Sequence, residues 1–505
     1  MQTIAHKFVA FLASRRFFYG VLIFFVLQAA WIACSATYPM PFDEDFHLGI
    51  ITIYSHHWSP FLAVQPEGGD AFGALARDPS YLYHYLMSFP YRLLALITDS
   101  QTAQIIVLRV MNVSLFTAGL ALFRRVLLRA GLSRAFTHTS LMLFVLIPIV
   151  PQLAAQVNYD NLLMPLVAWI LLLVFSLLDG LKKRRIDAAT VGLLASLCLL
   201  TSLVKYAFLP ILAAIVVFVG IAAWRYFDHN LKHLWHALWR GVGVLSRPIK
   251  IGLVVALALS AGLFVQRYGI NMVTFHSPVP DCGDVLSMDH CSAYGPWIRN
   301  YNYALIKDDA AFTHNPIYYL GMWLYWLWYR LFFAISGPNN AYTNYPPLPW
   351  PAWTFVTIAV AGLVTAVWWG RRALRNSTYL QLFLLIVVLY VGALFAEDYS
   401  QYLQTGQPVA INGRYLLPVM LLATALIGKL FGLALKGALR AKAALAACAI
   451  ILFLQGGGVF TFIARSDASW YWPNTTVIRV NNAARHLLSP FTVEGSKDCS
   501  KRLIC

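Results

Sequence analysis

Asp43, Glu44, Asp45 and His47 stand together in Pro41-Phe42-Asp43-Glu44-Asp45-Phe46-His47-Leu48-Gly49, directly after a long apolar run. Adjacent carboxylates repel, so at least one pKa in such a cluster rises unless a cation or a metal neutralises it. If Pro41 opens a helix, Asp43, Glu44 and His47 share one face through i+3 and i+4 spacings, and the helix N-terminus favours the negative charge. That pattern suits a general base or a divalent metal; a solvated acidic helix cap is the plain alternative. Other ionisable residues punctuate the short segments between apolar runs. Asp160 is the sole carboxylate of Gln156-Val157-Asn158-Tyr159-Asp160-Asn161, Lys205 follows Thr201-Ser202-Leu203-Val204, and Arg414 opens Arg414-Tyr415-Leu416-Leu417-Pro418. A lysine or arginine in such a place asks for an anion, with snorkelling to lipid headgroups as the alternative. A lipid phosphate would satisfy both cations, arginine through its planar fork of donors. The carboxylates would then activate a hydroxyl attacking the sugar carried by that lipid.

The elements that must position these residues are membrane helices. Of 505 residues, 59% are hydrophobic and only 12% charged, and the mean hydropathy is +0.64, far from globular usage. Soluble enzymes, nucleic-acid readers and disordered scaffolds are excluded. A spanning helix needs about 20 apolar residues, and about eleven such runs are present. They lie near 17–37, 104–123, 138–156, 161–178, 188–204, 206–223, 250–266, 352–369, 379–396, 413–432 and 444–463. The formal charge of +17, from 38 Lys plus Arg against 21 Asp plus Glu, concentrates in alternate connections. Arg124/Arg125/Arg129/Arg134, Lys182/Lys183/Arg184/Arg185, the stretch Arg225 to Lys250, Arg371/Arg372/Arg375 and Lys436/Arg440/Lys442 are basic. The positive-inside rule makes these loops cytoplasmic, with the N-terminus inside and the C-terminus outside.

Outside loops then cover 38–103 and 267–351. The aromatic run Pro316 to Ile335, with Trp323, Trp326, Trp328 and Arg330, is expected to lie along the outer interface as an amphipathic or re-entrant helix. A true span there is the alternative. Cys282, Cys291, Cys499 and Cys505 all fall outside, which suggests two disulfides in an oxidising compartment; proximity favours Cys282 with Cys291 and Cys499 with Cys505, although four thiols permit three pairings. The His229, His233 and His236 group, mixed with Trp235, Trp239 and Arg240, reads as an interfacial amphipathic helix.

Phe42-Asp43-Glu44-Asp45-Phe46-His47-Leu48-Gly49 resembles the F-D-E-x-H-F-G stretch of protein O-mannosyltransferases. More broadly, it is similar to the acidic motif that ends the first span in the GT-C superfamily of polytopic glycosyltransferases, including bacterial enzymes that use lipid-linked sugars. The resemblance implies a large first outside loop with membrane-parallel helices, an acidic residue in the second outside loop, and a late outside loop over the donor. It makes Asp43 the catalytic base, Glu44 its neighbour in the motif and Asp160 the second-loop acid. Arg414-Tyr415-Leu416-Leu417-Pro418 is similar to the arginine-tyrosine segment that opens a late span in bacterial members. His47 lies one position later than in the mannosyltransferase motif, and Asp45 is extra, so both are expected as support, as is Tyr415.

The expected protein is therefore all-α and polytopic, a GT-C-like membrane module over 1–463 followed by an extracytoplasmic tail over 464–505. It would transfer a sugar, with inversion, from a polyprenyl-phosphate donor to a lipid or cell-envelope glycan on the outer face of a plasma membrane. Lys205 and Arg414 would hold the donor phosphate, a divalent metal remains an option, and no nucleic acid is involved. Loop 267–351 would cover the site, its Cys282–Cys291 tip carrying Asp281, Asp284, Asp289 and His290. The competing reading is a transporter or flippase of a lipid-linked saccharide.

Overall fold

The computed structural model describes residues 2–307, 313–332, 370, 374–466 and 468–488. Every regular element among them is helical, and the one β contact is an isolated antiparallel bridge between Ala36 and Tyr471. The chain begins with α1 (Gln2–Ala13) and α2 (Arg15–Ser35). Two helices, α3 (Glu44–Ser55) and α4 (Leu82–Ile97), fill the first long connection, and then come α5 (Gln101–Arg129), α6 (Arg134–Leu146), α7 (Ile149–Ala154), α8 (Asp160–Lys182), α9 (Ala188–Val204), α10 (Leu209–Tyr226), α11 (Leu231–Val244) and α12 (Arg247–Phe264). Short helices α13 (Ile270–Phe275), α14 (Cys282–Val285), α15 (Met288–Cys291) and α16 (Gly295–Leu305) precede α17 (Pro316–Phe332). The described chain ends with α18 (Thr378–Thr405), α19 (Leu417–Ala434), α20 (Leu439–Gly456), α21 (Gly458–Arg465) and α22 (Thr475–Leu488).

Six helical segments are long and apolar enough to cross a membrane: α2, α5, α8, Tyr206–Tyr226, Arg247–Phe275 and α18. Of the other expected runs, 188–204 forms α9, which at 17 residues is shorter than those six, and 413–432 carries α19. The run expected at 352–369, together with Cys499 and Cys505, lies outside the described residues. Several starts are set by local capping: Ser14 accepts from the Phe17 amide, Ser100 from Ala103, and Ser133 from Phe136, each supplying an acceptor to an otherwise unpaired first-turn N–H.

Two of the expected runs are broken. Ile147 adopts an extended backbone before Pro148, as steric conflict with a following proline ring demands, and this separates α6 from α7. Gly457 separates α20 from α21, which Gly458 opens at φ +61°. One side chain from α2 serves both breaks. Gln28 donates through Nε2 to the Val145 carbonyl at 2.8 Å and accepts through Oε1 from the Val459 amide at 3.1 Å. A Cβ at position 458 would stand 2.3 Å from that oxygen, so glycine is required there by both space and φ. In an apolar interior each backbone group freed by a break needs such a partner.

The main core runs through α2, α5, α6, α7, α8, α10, α18 and α19, with Phe25, Phe116, Phe123, Leu171, Phe175, Phe383 and Leu421 fully enclosed. A second apolar cluster, Leu48, Ile51, Tyr83, Met87, Ile105, Leu108, Val157 and Val204, seats α3 and α4 on the ends of α5, α8 and α9. This seating brings the acidic stretch against the two short turns that precede α8 and follow α9. Helix α17 lies against the end of α18, where Tyr319 and Trp323 are buried and Trp323 Nε1 donates to Asp398 Oδ2 at 2.7 Å.

Candidate active site

Asp43 occupies the cap position of α3 in an unusual conformation. Phe42 and Asp43 both have positive φ, 70° and 69°, a region costing non-glycine residues about 1–3 kcal/mol each and kept only where surroundings impose it. The imposing contacts are on the Phe42 carbonyl, which accepts from Arg414 at 2.8 Å and from Asn158 Nδ2 at 3.1 Å. As a consequence the Asp43 carboxylate does not cap its own helix. It pairs with the Arg414 guanidinium and remains 48% exposed, whereas the arginine side chain is 7% exposed.

Glu44, its neighbour, is placed differently. Its carboxylate is completely enclosed and bound bidentately by Arg109, Nε to Oε1 at 2.8 Å and Nη2 to Oε2 at 2.6 Å. The Met40 and Val157 amides donate to the same two oxygens. Arg109 spends its remaining donors on the Ala33, Ala36 and Thr37 carbonyls at the end of α2. With both oxygens filled and no exposure, Glu44 joins α2, α3, α5 and the 156–160 turn, and unlike Asp43 it does not reach the open side.

Asp160 and Lys205 form a third ion pair at 2.6 Å, both side chains 4% exposed. Asp160 Oδ2 has no partner among the described residues, and neither has Arg414 Nε. Lys205 Nζ also faces the Tyr159 and Tyr415 rings at 4.5 and 5.3 Å, and Arg414 lies 5.1 Å from the Tyr415 ring. The two cations thus converge on one tyrosine, each beside an acid. Burial pulls the Lys205 ammonium below its usual range against the opposing pull of Asp160.

His47 is buried behind this group. Its Nδ1 lies 2.8 Å from His84 Nε2, and His84 Nδ1 lies 3.1 Å from the Ser80 carbonyl. A carbonyl only accepts, so His84 carries its proton on Nδ1, its Nε2 must accept, and His47 must donate from Nδ1. That leaves His47 with a lone pair on Nε2, its ring 4.5 Å from Tyr159. Burial, then the neighbouring His84, Arg414 and Lys205, hold the His47 imidazole well below its ordinary pKa, and burial takes His84 down to about 3. Unfolded histidines bind protons below about pH 6.5 and these native ones do not, so stability falls with pH across that window, by up to about 1.4 kcal/mol per unit for each imidazole. The midpoint of thermal unfolding in detergent should therefore drop as pH goes from 7 to 5, with a shallower slope in His84→Gln. An unchanged slope in that variant would show that the pair already takes up protons when folded.

Comparison with family models, curated proteins and solved structures finds no match to this chain. The site is therefore read from its own geometry. Asp43, Asp160, Lys205, Arg414, Tyr415 and His47 come together; Asp45, in the first turn of α3, is exposed. Three contributors were not legible as site residues beforehand. Arg109 sits inside an apolar run, which was itself a signal. His84 is 37 residues from His47, and nothing local links them. Asn112 accepts from Tyr83 Oη at 2.8 Å and Asn161 Nδ2 at 3.1 Å, so it organises the turn that presents Asp160.

The segment after α12 docks on the first long connection and α3. Cys282 and Cys291 are bonded. Asp281 and Asp284 cap the short helix between them, and His290 pairs with Asp70 of the first long connection at 2.7 Å. Tyr294 packs on Phe46, 6.1 Å between centroids. Among the described residues no three His, Cys, Asp or Glu side chains gather as a metal-ligand set.

Proposed function

We propose that this chain is a membrane glycosyltransferase that takes a sugar from a polyprenyl-phosphate donor and gives it, with inversion, to a lipid or cell-envelope glycan acceptor. The observation that carries this reading is Asp43, a half-exposed carboxylate held out of its own helix cap by strained backbone, near two buried cations, of which Arg414 keeps its Nε without a partner among the described residues. In the reaction the acceptor hydroxyl oxygen attacks the anomeric carbon, its proton passes to Asp43, and the bond from that carbon to the phosphate oxygen breaks. The phosphate leaves with the electron pair, and Lys205 and Arg414 receive its growing charge. The reading includes the finer topology of about eleven spans with the basic loops inside, α17 at the outer interface and the site on the extracytoplasmic side of a plasma membrane.

The direct test is incubation of the purified protein with a radiolabelled polyprenyl-phosphate sugar and an envelope-lipid extract. Sugar released or transferred in detergent supports the enzyme; movement of intact donor across vesicles without bond cleavage would establish the transporter instead. Given transfer, Lys205→Gln and Arg414→Gln should each raise the donor KM roughly tenfold, since losing one charge-assisted contact costs about 1.5–3 kcal/mol. Normal donor KM in both would reduce these cations to structural partners of Asp160 and Asp43.

The docked segment 276–294 has a role in this reading as a cover that keeps water from the donor. Replacing Cys282 and Cys291 together by serine should raise donor hydrolysis relative to transfer in the same membranes. Equal loss of both, with lower expression, would leave the segment a folding role only.

A further inference from the structure

We propose a binding site for an anionic phospholipid at the opposite, basic end of the bundle, with an acyl chain in the groove under α11 and the phosphate against Lys232. The site is independent of the glycosyltransferase reading. A cavity of about 600 Å³ lies between α8, α9, α10 and α11, walled by Leu181, Val219, Ala223 and Leu234, with Lys232 and His236 from α11 at it. The fold builds this groove firmly. Asn230 caps α11 by accepting from the Lys232 and His233 amides. At its other end Gly241 sits so close to the chain before α9 that a Cβ would stand 2.3 Å from the Ile186 carbonyl oxygen. Leu234 and Leu238 pack inward while Trp235 and Trp239 stay exposed, their rings 5.5 Å apart, the division expected of a helix lying at headgroup level.

Charge selects the occupant. Helix α11 contains Lys232, His233, His236 and Arg240 and no acid. The neighbouring acids are already engaged, Asp228 with Arg184 at 2.7 Å and Asp187 with the Ala189 amide and Thr190 hydroxyl at the start of α9. Lys232 and Arg240 have no acidic partner among the described residues. An aliphatic groove with Lys232 at its edge and Arg240 further along the same helix matches a molecule with a hydrocarbon chain and an anionic head, and the flanking helices α8 and α10 belong to segments apolar enough to stand in lipid.

The test uses the full chain in phosphatidylcholine vesicles containing a trace of phospholipid with a diazirine on its acyl chain, either phosphatidylglycerol or phosphatidylcholine, followed by mapping of the cross-linked peptides. The phosphatidylglycerol probe should label peptides covering 177–191 and 219–238 about fivefold more than the phosphatidylcholine probe, the ratio one basic residue near an anionic surface provides. Lys232→Gln with Arg240→Gln should bring that ratio towards one. Ala223→Phe should reduce groove labelling by both probes while α12 peptides stay labelled, and Val219→Trp provides the same test if that variant does not accumulate. Equal labelling by the two probes in the unaltered protein overturns the charge selection. Labelling unchanged by either bulky replacement overturns the groove.

Discussion

Asp43→Asn is expected to lose about 10²- to 10⁴-fold in turnover, the usual contribution of a positioned general base, while the protein still folds and binds donor. The substitution keeps shape and leaves an oxygen for Arg414, and the site is half-exposed, so the structural cost is small beside the chemical one. What the amide cannot do is accept the acceptor's proton. The positive φ at Phe42 and Asp43 sharpens the expectation. A carboxylate needed only as a helix cap would adopt the ordinary extended backbone and bond to the amides of α3, and here the chain gives up that capping bond. Measuring kcat and donor KM separately decides the matter. A KM increase with kcat intact would make Asp43 a partner of Arg414 and no base, and near-unaltered kinetics would remove it from the reaction.

The candidate site was legible in residue type and poorly legible in pairing. Asp43, Asp160, Lys205 and Arg414 stand out in the sequence because each interrupts an apolar chain at a turn, and isolated charges at such places need reasons. Their convergence followed from the alternation of basic and non-basic connections. Which acid meets which cation depends on how the two turns beside α8 and α9 dock against α3, and docking across 371 residues, as between Asp43 and Arg414, leaves no trace in local spacing. The same limit hid how differently Asp43 and Glu44 are set, one half-exposed and the other enclosed. Adjacent residues at a helix start point in different directions, and only the strained backbone of Phe42 and Asp43 decides which carboxylate reaches the open side. The helix breaks at Pro148 and Gly457 fall inside runs expected as single spans, 138–156 and 444–463. Their shared partner Gln28, polar in the middle of an apolar helix, was the signal that went unread.

Glu44 and Arg109 should give the largest loss of stability in the molecule. Both side chains are fully enclosed, with distances of 2.6 and 2.8 Å across the pair, and five main-chain groups are tied to them. Breaking a buried pair by removing one partner leaves an uncompensated charge and costs about 3–5 kcal/mol. Glu44→Gln should therefore unfold at much lower temperature in detergent and accumulate poorly, and Arg109→Met should do the same. Removing both charges together is the decisive comparison. In Glu44→Gln with Arg109→Met no lone charge remains inside, so the double variant should lose less than the sum of the two single losses, a coupling typical of contacting residues. It will not recover fully, because the Ala33, Ala36 and Thr37 carbonyls lose their donor and the Val157 amide keeps only a weaker acceptor. Additive losses would mean that the two residues do not act as a pair. A Glu44→Gln protein as stable as the original but inactive would return Glu44 to the chemistry and take from it the anchoring role that its burial and four hydrogen bonds assign.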